Sequence, residues 1–293
     1  MTSGRNGDTG VHPFVGRMLE AFRLCHRVAL AHELSIEVPS LDDRPGASGA
    51  GRLEIATRTI DGHQPSTTLF SDRVSFHTHT GTHIDAFGHW ARDGYHFGGA
   101  PAQTRPEGRG MVHYGAETIP PILARGVLID LVRWNKGAPL EGGYQITSQA
   151  IRDSLHHNPL ELLPDDVVLI RTGWSRHWSD PTRYMSEAPG LTRDAAAYLC
   201  DMGCRAIGID QWSVDVMPPE GPSDAFACHA LCLVERGVYL IENLELERLG
   251  ALNASQFVLV LAVVPMSGAT GFPVQPIALV PEEARPTHEE DRA

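Results

Sequence analysis

In the second half of the chain one order of signals, helix start, glycine stop and apolar strand, occurs twice, and this repeat narrows the fold more than any other feature. A helical pattern runs from Thr192 to Met202, stops at Gly203 and gives way to Ala206-Ile-Gly-Ile209. A second runs from Ser223 to Arg236, stops at Gly237 and gives way to Val238-Tyr-Leu-Ile241. A hydroxyl at a helix start satisfies an orphan backbone N–H, and a glycine at its end takes the left-handed turn without a Cβ penalty. Further β-branched runs cover Val127–Val132, Val167–Arg171 and Phe257–Val264, and another helix runs from a Thr147 cap through Leu155. The pattern predicts a mixed α/β (α+β) fold, with a central mixed β-sheet or barrel-like β core flanked by helices.

A chain of 293 residues can bury a large core, and no linker, repeat or low-complexity tract divides it. One compact domain over residues 19–280 is expected, with a helix over 19–32. It would be preceded by a loose Gly- and Asp-rich segment, 1–18, and followed by a solvated Glu/Arg/Pro tail, 281–293. A net charge of −12 without a run of basic residues argues against nucleic acid as a partner. The longest apolar run, Phe257–Met266, has ten residues, half of the roughly 20 that cross a bilayer. The first residues lack the charged-then-apolar order of a signal peptide, so a cytoplasmic location and no membrane partner are expected. No Gly-x-Gly-x-x-Gly or Gly-x4-Gly-Lys offers a phosphate cradle. The pairs Cys200/Cys204 and Cys228/Cys232 lack the turn residues of zinc knuckles and read as small buried residues on helices.

Chemistry concentrates in His77-Thr-His-Thr-Gly-Thr-His-Ile-Asp-Ala-Phe-Gly-His-Trp90. His79, His83, Asp85 and His89 share one parity, and no single helical face holds all four. A strand puts them on one side, but a straight strand separates residues four apart by about 13 Å. Two donors bonded to one ion can be at most about 4.2 Å apart. The chain must therefore bend, and Gly81 permits it: a strand enters with His79, turns, and returns His83 and Asp85. Two imidazoles and a carboxylate suit zinc or manganese and leave a position for water. His89, the surplus imidazole, is placed as general base and then as acid to the leaving group. His77 is read as supporting or structural, and His63 and His96 are given no role. Trp90 and Trp212, with Phe76, Tyr95 and Phe97, could line an apolar wall for a flat substrate. Ser213 lacks the Gly-x-Ser-x-Gly elbow of a nucleophilic serine.

The run His79-Thr-Gly-Thr-His-Ile-Asp-Ala-Phe-Gly-His89 resembles the signature His-x-Gly-Thr-His-x-Asp-x-x-x-His of the putative cyclase family of metal-dependent hydrolases. That family includes bacterial kynurenine formamidase and isatin hydrolase. Arg125–Asp130, Val168–Trp174, Gly208–Asp215, Gly237–Leu244 and Gly268–Pro273 are also similar to family segments, so the likeness covers roughly residues 30–280 and suits the longer branch. It implies a swivelling β/β/α fold, one or two divalent ions (Zn2+ or Mn2+), and His229 and Glu242 as further ligands, with Asp85 bridging. It also implies a homodimer or homotetramer. The departure is Gly271-Phe-Pro273, where the family carries serine, and Phe272 could reshape the pocket mouth.

Together these readings give a hydrolase acting on a C–N bond of a small amide: an aryl formamide, a lactam or another cyclic amide. Hydroxide generated at the metal would attack, with His89 as base. The alternatives are a cyclase or dehydratase (lyase) using the same site, and a metal-holding sensor without turnover.

Overall fold

The computed structural model describes residues 12–44, 51–61, 66–219, 221 and 225–282. Its centre is a curled, half-barrel sheet of nine strands. In spatial order these are Cys25–Ala29, Ile277–Pro281, Gln256–Leu261, Ile122–Asp130, Val167–Arg171, Ala206–Ile209, Tyr239–Glu242, His83–Asp85 and Gly271–Pro273. The four from Ile122–Asp130 to Tyr239–Glu242 run parallel, and every other pairing is antiparallel.

The parallel strands are apolar without interruption because both faces are covered. Val168, Ile170, Ile207, Ile209 and Leu240 face a layer that includes Ile151, Ala195, Leu199 and Leu231 from the helices. Val167, Leu169, Ala206 and Ile241 face the inside of the curl, where Val28, Ile84, Phe257 and Leu259 close a second core. The helix Ser148–His157 starts at Thr147, whose hydroxyl accepts from the Ala150 N–H at 3.2 Å. The helix Arg193–Asp201 follows Thr192, whose hydroxyl makes no capping bond and donates instead to the Ile146 carbonyl at 3.1 Å, while Gly203 and Gly237 close the two helix-to-strand turns, as the sequence predicts.

Several boundaries differ from the sequence reading. The helix expected over 19–32 spans Pro13–Arg23, and Cys25–Ala29 is an edge strand paired with Ile277–Pro281. Pairing with a neighbour and burial of Val28 and Leu30 override helical propensity there. The helix thus reaches into the segment expected to be loose, and residues 1–11 lie outside the described residues. The run Val127–Val132 is strand to Asp130, whose carboxylate then caps the short helix Leu131–Trp134 by accepting from the Arg133 N–H. Ser223, the expected start of the third helix, and His63 lie outside the described residues, and the helix begins at Ala227 and winds as a π-helix over Ala230–Arg236. Pro281 closes a strand instead of opening a tail, and residues 283–293 are not described. Glu54–Asp61 and Thr68–Ser75 form a hairpin apart from the main sheet. No helix among the described residues is long and apolar enough to cross a membrane.

Candidate metal centre

His79 occupies a turn, not the strand the sequence suggested; the strand proper is His83–Asp85. Gly81 makes the bend with φ +63°, and a Cβ there would stand 2.3 Å from Leu34 Cδ2. Alternation along the three-residue strand then sends His83 and Asp85 to one face and Ile84 to the apolar core on the other. Glu242, at the C-terminal end of its strand, lies directly opposite His83, so cross-strand register alone sets the two side by side. His229 comes from the end of the short helix Ala227–His229.

Each of three imidazoles is fixed on one side by a protein group and turns its other nitrogen inward. His83 Nδ1 donates to the Gly81 carbonyl at 2.9 Å, and His229 Nδ1 donates to Asp215 Oδ2 at 2.5 Å. His79 Nε2 meets the Thr270 hydroxyl at 2.9 Å. The inward nitrogens crowd Asp85: His79 Nδ1 is 2.7 Å from its Oδ1, His83 Nε2 is 3.4 Å from Oδ1, and His229 Nε2 is 3.5 Å from Oδ2. Glu242 spans the same space, its Oε2 3.4 Å from His83 Nε2 and its Oε1 3.3 Å from His229 Nε2. Anchored on the outside and open on the inside, these rings have the support that metal-bound histidines need.

Despite this crowding, both Asp85 oxygens and His83 Nε2 are buried without an aligned hydrogen bond. Buried polar atoms rarely go unpaired, and here, against their burial, Asp85 and Glu242 push His83 up to about 10 while Glu242 and Asp215 raise His229; a site that draws positive charge onto its rings fits a cation that would take the protons' place. Among the described residues two donor sets, His79/His83/Asp85 and Asp85/His89/His229, bring one ligand atom from each residue within 4.8 Å of the others, and they share Asp85. Burial opposes ionisation of Asp85, yet the imidazoles of His79 and His229 beside it hold its carboxyl well below the usual range. Glu242 is likewise brought down to about 2, against its burial, by His229 and His83. Burial lowers His89 to about 3, so its ring stays neutral with a free lone pair. The His89 ring lies 4.1 Å from that of His79 and 6.0 Å from that of His229.

His79, His83, His89, His229 and Glu242 line a cavity of about 240 Å³, while Asp85 is fully buried beside it. Trp90, Trp212 and Phe226 form its aromatic walls, and His77 lines it beside His79. Phe226 holds its ring against Trp90 and His229 from a left-handed backbone (φ +58°), a costly conformation for so bulky a residue. Of the other aromatic residues suggested by sequence, Phe97 packs on Phe87 at 5.3 Å, Phe76 lies against Phe272, and Tyr95 is exposed; none lines the cavity. Phe272 stands opposite Ile84 and packs on the apolar core, so it does not reshape the pocket mouth. Its neighbour Gly271 does matter: a Cβ there would come 2.6 Å from His79 Cε1. His96 is buried outside the cavity, with Nδ1 on the Trp90 carbonyl at 2.8 Å.

Five contributors carried no assigned role in the sequence. Asp215 and Thr270 hold ligand-type rings, and Asn243 ties the bend to the end of Glu242's strand by donating to the Gly81 carbonyl at 2.9 Å. Arg44 and Phe226 line the cavity. Asp215, Asn243 and Thr270 all fall in segments similar to the family, but only three-dimensional contact shows what each touches.

A profile of the family described as Putative cyclase matches residues 28–216. The chain belongs to this family. The matched segment contains the whole His79–His89 run and stops short of His229 and Glu242. Among solved structures, the cyclase-family chain is similar to a novel cyclase at 24% identity, covering 92% of both chains with a TM-score of 0.76. It is also similar to an isatin hydrolase bound to the product analogue thioisatinate, at 20% identity over 94% of this chain and 100% of that one, TM-score 0.69. A potential metal-dependent hydrolase with cyclase activity matches at 21% identity, 87% and 98% coverage, and TM-score 0.57. At these identities the likeness establishes the shared fold. No curated protein sequence matches the chain.

Proposed function

We propose that this chain is a metal-dependent hydrolase that opens the C–N bond of a small amide. The observation that carries the reading is the buried convergence of unpaired Asp85 and His83 atoms beside an aromatic-walled cavity that His79, His83, His229 and Glu242 line. The isatin hydrolases of the same fold support the choice of an amide. His79, His83 and Asp85 would hold one divalent ion, zinc or manganese by donor type, and His229 and Glu242 would hold a second across Asp85. When bound, such an ion supplies a Lewis acid for the carbonyl and makes a nearby water more acidic.

The chain's own residues do the rest. His89, kept neutral by burial, accepts a proton on its free ring nitrogen and returns it to the departing amide nitrogen. The Asp215 carboxylate accepts from His229 Nδ1–H and so directs Nε2, not Nδ1, toward the ion. Trp90, Trp212 and Phe226 exclude water and orient a flat substrate.

The test is metal analysis of the purified protein, with a panel of aryl formamides, lactams and isatin-like amides assayed in ¹⁸O-labelled water. Incorporation of one solvent oxygen into the acid product is expected. His89→Ala should keep its metal and lose roughly 10²- to 10⁴-fold in kcat. Turnover without solvent oxygen would replace this reading with a cyclase or dehydratase, and metal binding without turnover across the panel would favour a sensor.

A further inference from the structure

Arg44 is the only lysine or arginine on the cavity wall among the described residues. It follows the short 3-10 turn Leu41–Asp43, which is tightly pinned: the Ser40 N–H donates to Asp43 Oδ2 at 2.9 Å, and the Asp42 N–H donates to Ser40 Oγ at 3.3 Å. The acids next to Arg44 are engaged elsewhere. Asp43 pairs with Arg52, and Asp42 accepts from the Gly51 N–H at 3.0 Å. Residues 45–50, Pro-Gly-Ala-Ser-Gly-Ala in sequence, bring no charge. No carboxylate among the described residues pairs with Arg44.

What Arg44 does touch is Trp212, with its guanidinium carbon 4.5 Å from the ring centroid. Stacking occupies the face of the guanidinium and leaves the in-plane N–H fork open, the edge that grips a carboxylate. The same wall carries the indole rings of Trp212 and Trp90, whose Nε1–H groups are themselves buried. Among the described residues Glu242 is the one carboxylate that lines the cavity, and it faces His83 and His229, not Arg44. A volume of about 240 Å³ lies just below the range of drug-sized pockets, roughly 300–1,000 Å³, and suits a single-ring ligand.

We infer that Arg44, stacked on Trp212, is an anion subsite, and that the preferred substrate is an aryl amide bearing a carboxylate on the ring away from the scissile bond. This rests on the hydrolase reading above and narrows its substrate class.

The metal-loaded full chain should be assayed with 3-formamidobenzoate and with its uncharged parent, formanilide. Wild type should favour the carboxylate-bearing amide by roughly 10- to 100-fold in kcat/KM, mostly through KM, the span of one charge-assisted pair. Arg44→Gln should bring the ratio close to one, and Arg44→Lys should restore part of it. Equal use of both compounds by wild type overturns the inference, as does an equal loss on both in Arg44→Gln, because Arg44 would then only pack Trp212. If neither compound is hydrolysed, the hydrolase reading is at fault, and calorimetric titration with 3-formamidobenzoate still decides the subsite. Tenfold or weaker binding in Arg44→Gln upholds it; identical binding, or none to wild type, overturns it.

Discussion

The chain gathers ligand-type side chains in two buried places, the histidine–carboxylate cluster and a group of thiols between helices. Cys200 on the helix Arg193–Asp201 and Cys232 on Ala230–Arg236 bring their sulfurs to 3.8 Å. Cys228 donates to the Leu191 carbonyl at 3.4 Å, and Cys204 is buried nearby in the same apolar layer. All are free; burial together with the Asp215 carboxylate pushes the Cys228 thiol up, whereas hydrogen bonds from Cys204 and Cys232 bring Cys200 down to about 4, yet among the described residues no three of these sulfurs come together as metal ligands would. The histidine cluster differs in what its atoms lack. Three of its rings are anchored by a protein group on the outer side, His83 Nε2 and both Asp85 oxygens are buried without an aligned hydrogen bond, and His79, His83, His229 and Glu242 line an open cavity beside them. A count of ligand-type residues therefore does not make a site; buried lone pairs that converge on accessible space do.

Three variants sharpen or break this contrast, and the largest effect belongs to the shared carboxylate. Asp85→Asn should abolish stoichiometric metal binding, measured by elemental analysis after dialysis, because both donor sets use that residue. Retention of a full metal complement would place the ion elsewhere. Asp215→Asn removes only the outer anchor of His229, and such supports typically cost about 10- to 100-fold in metal affinity. Competition with a chelator measures this, and an unchanged affinity would mean His229 holds no ion. The smallest effect is expected from Cys200→Ala with Cys232→Ala. Metal content and turnover should stay as in wild type, and urea unfolding should show a loss of about 1–2 kcal/mol from lost packing. Loss of metal in that variant would make the thiols a site and collapse the contrast.

Legibility in the sequence followed the range of the interactions. The run His79–His89 was readable because its constraint is local: parity, ion size and chain length together demand a bend, and only Gly81 allows it. The buried parallel strands were readable for a similar reason, since burial on both faces leaves an unbroken apolar run. What failed, or needed the family likeness, depends on distant pairing. Residues 24–29 look helical until Ile277–Pro281 lies beside them. Glu242 looks like a solvated strand end until register sets it against His83. Arg44 looks like any surface arginine until its neighbours' carboxylates are seen to be taken.

Gly271 carries a consequence beyond sterics. It belongs to the outermost strand of the sheet, three residues long, and the His79 ring fills the volume where its side chain would be, while the adjoining Thr270 hydroxyl steadies that ring. Fraying of this short border would release one imidazole from its seat while leaving His83 and Asp85 in place. The rate at which a bound ion escapes would then be governed at the rim of the sheet, by breathing of a three-residue strand, and not by the width of the cavity entrance.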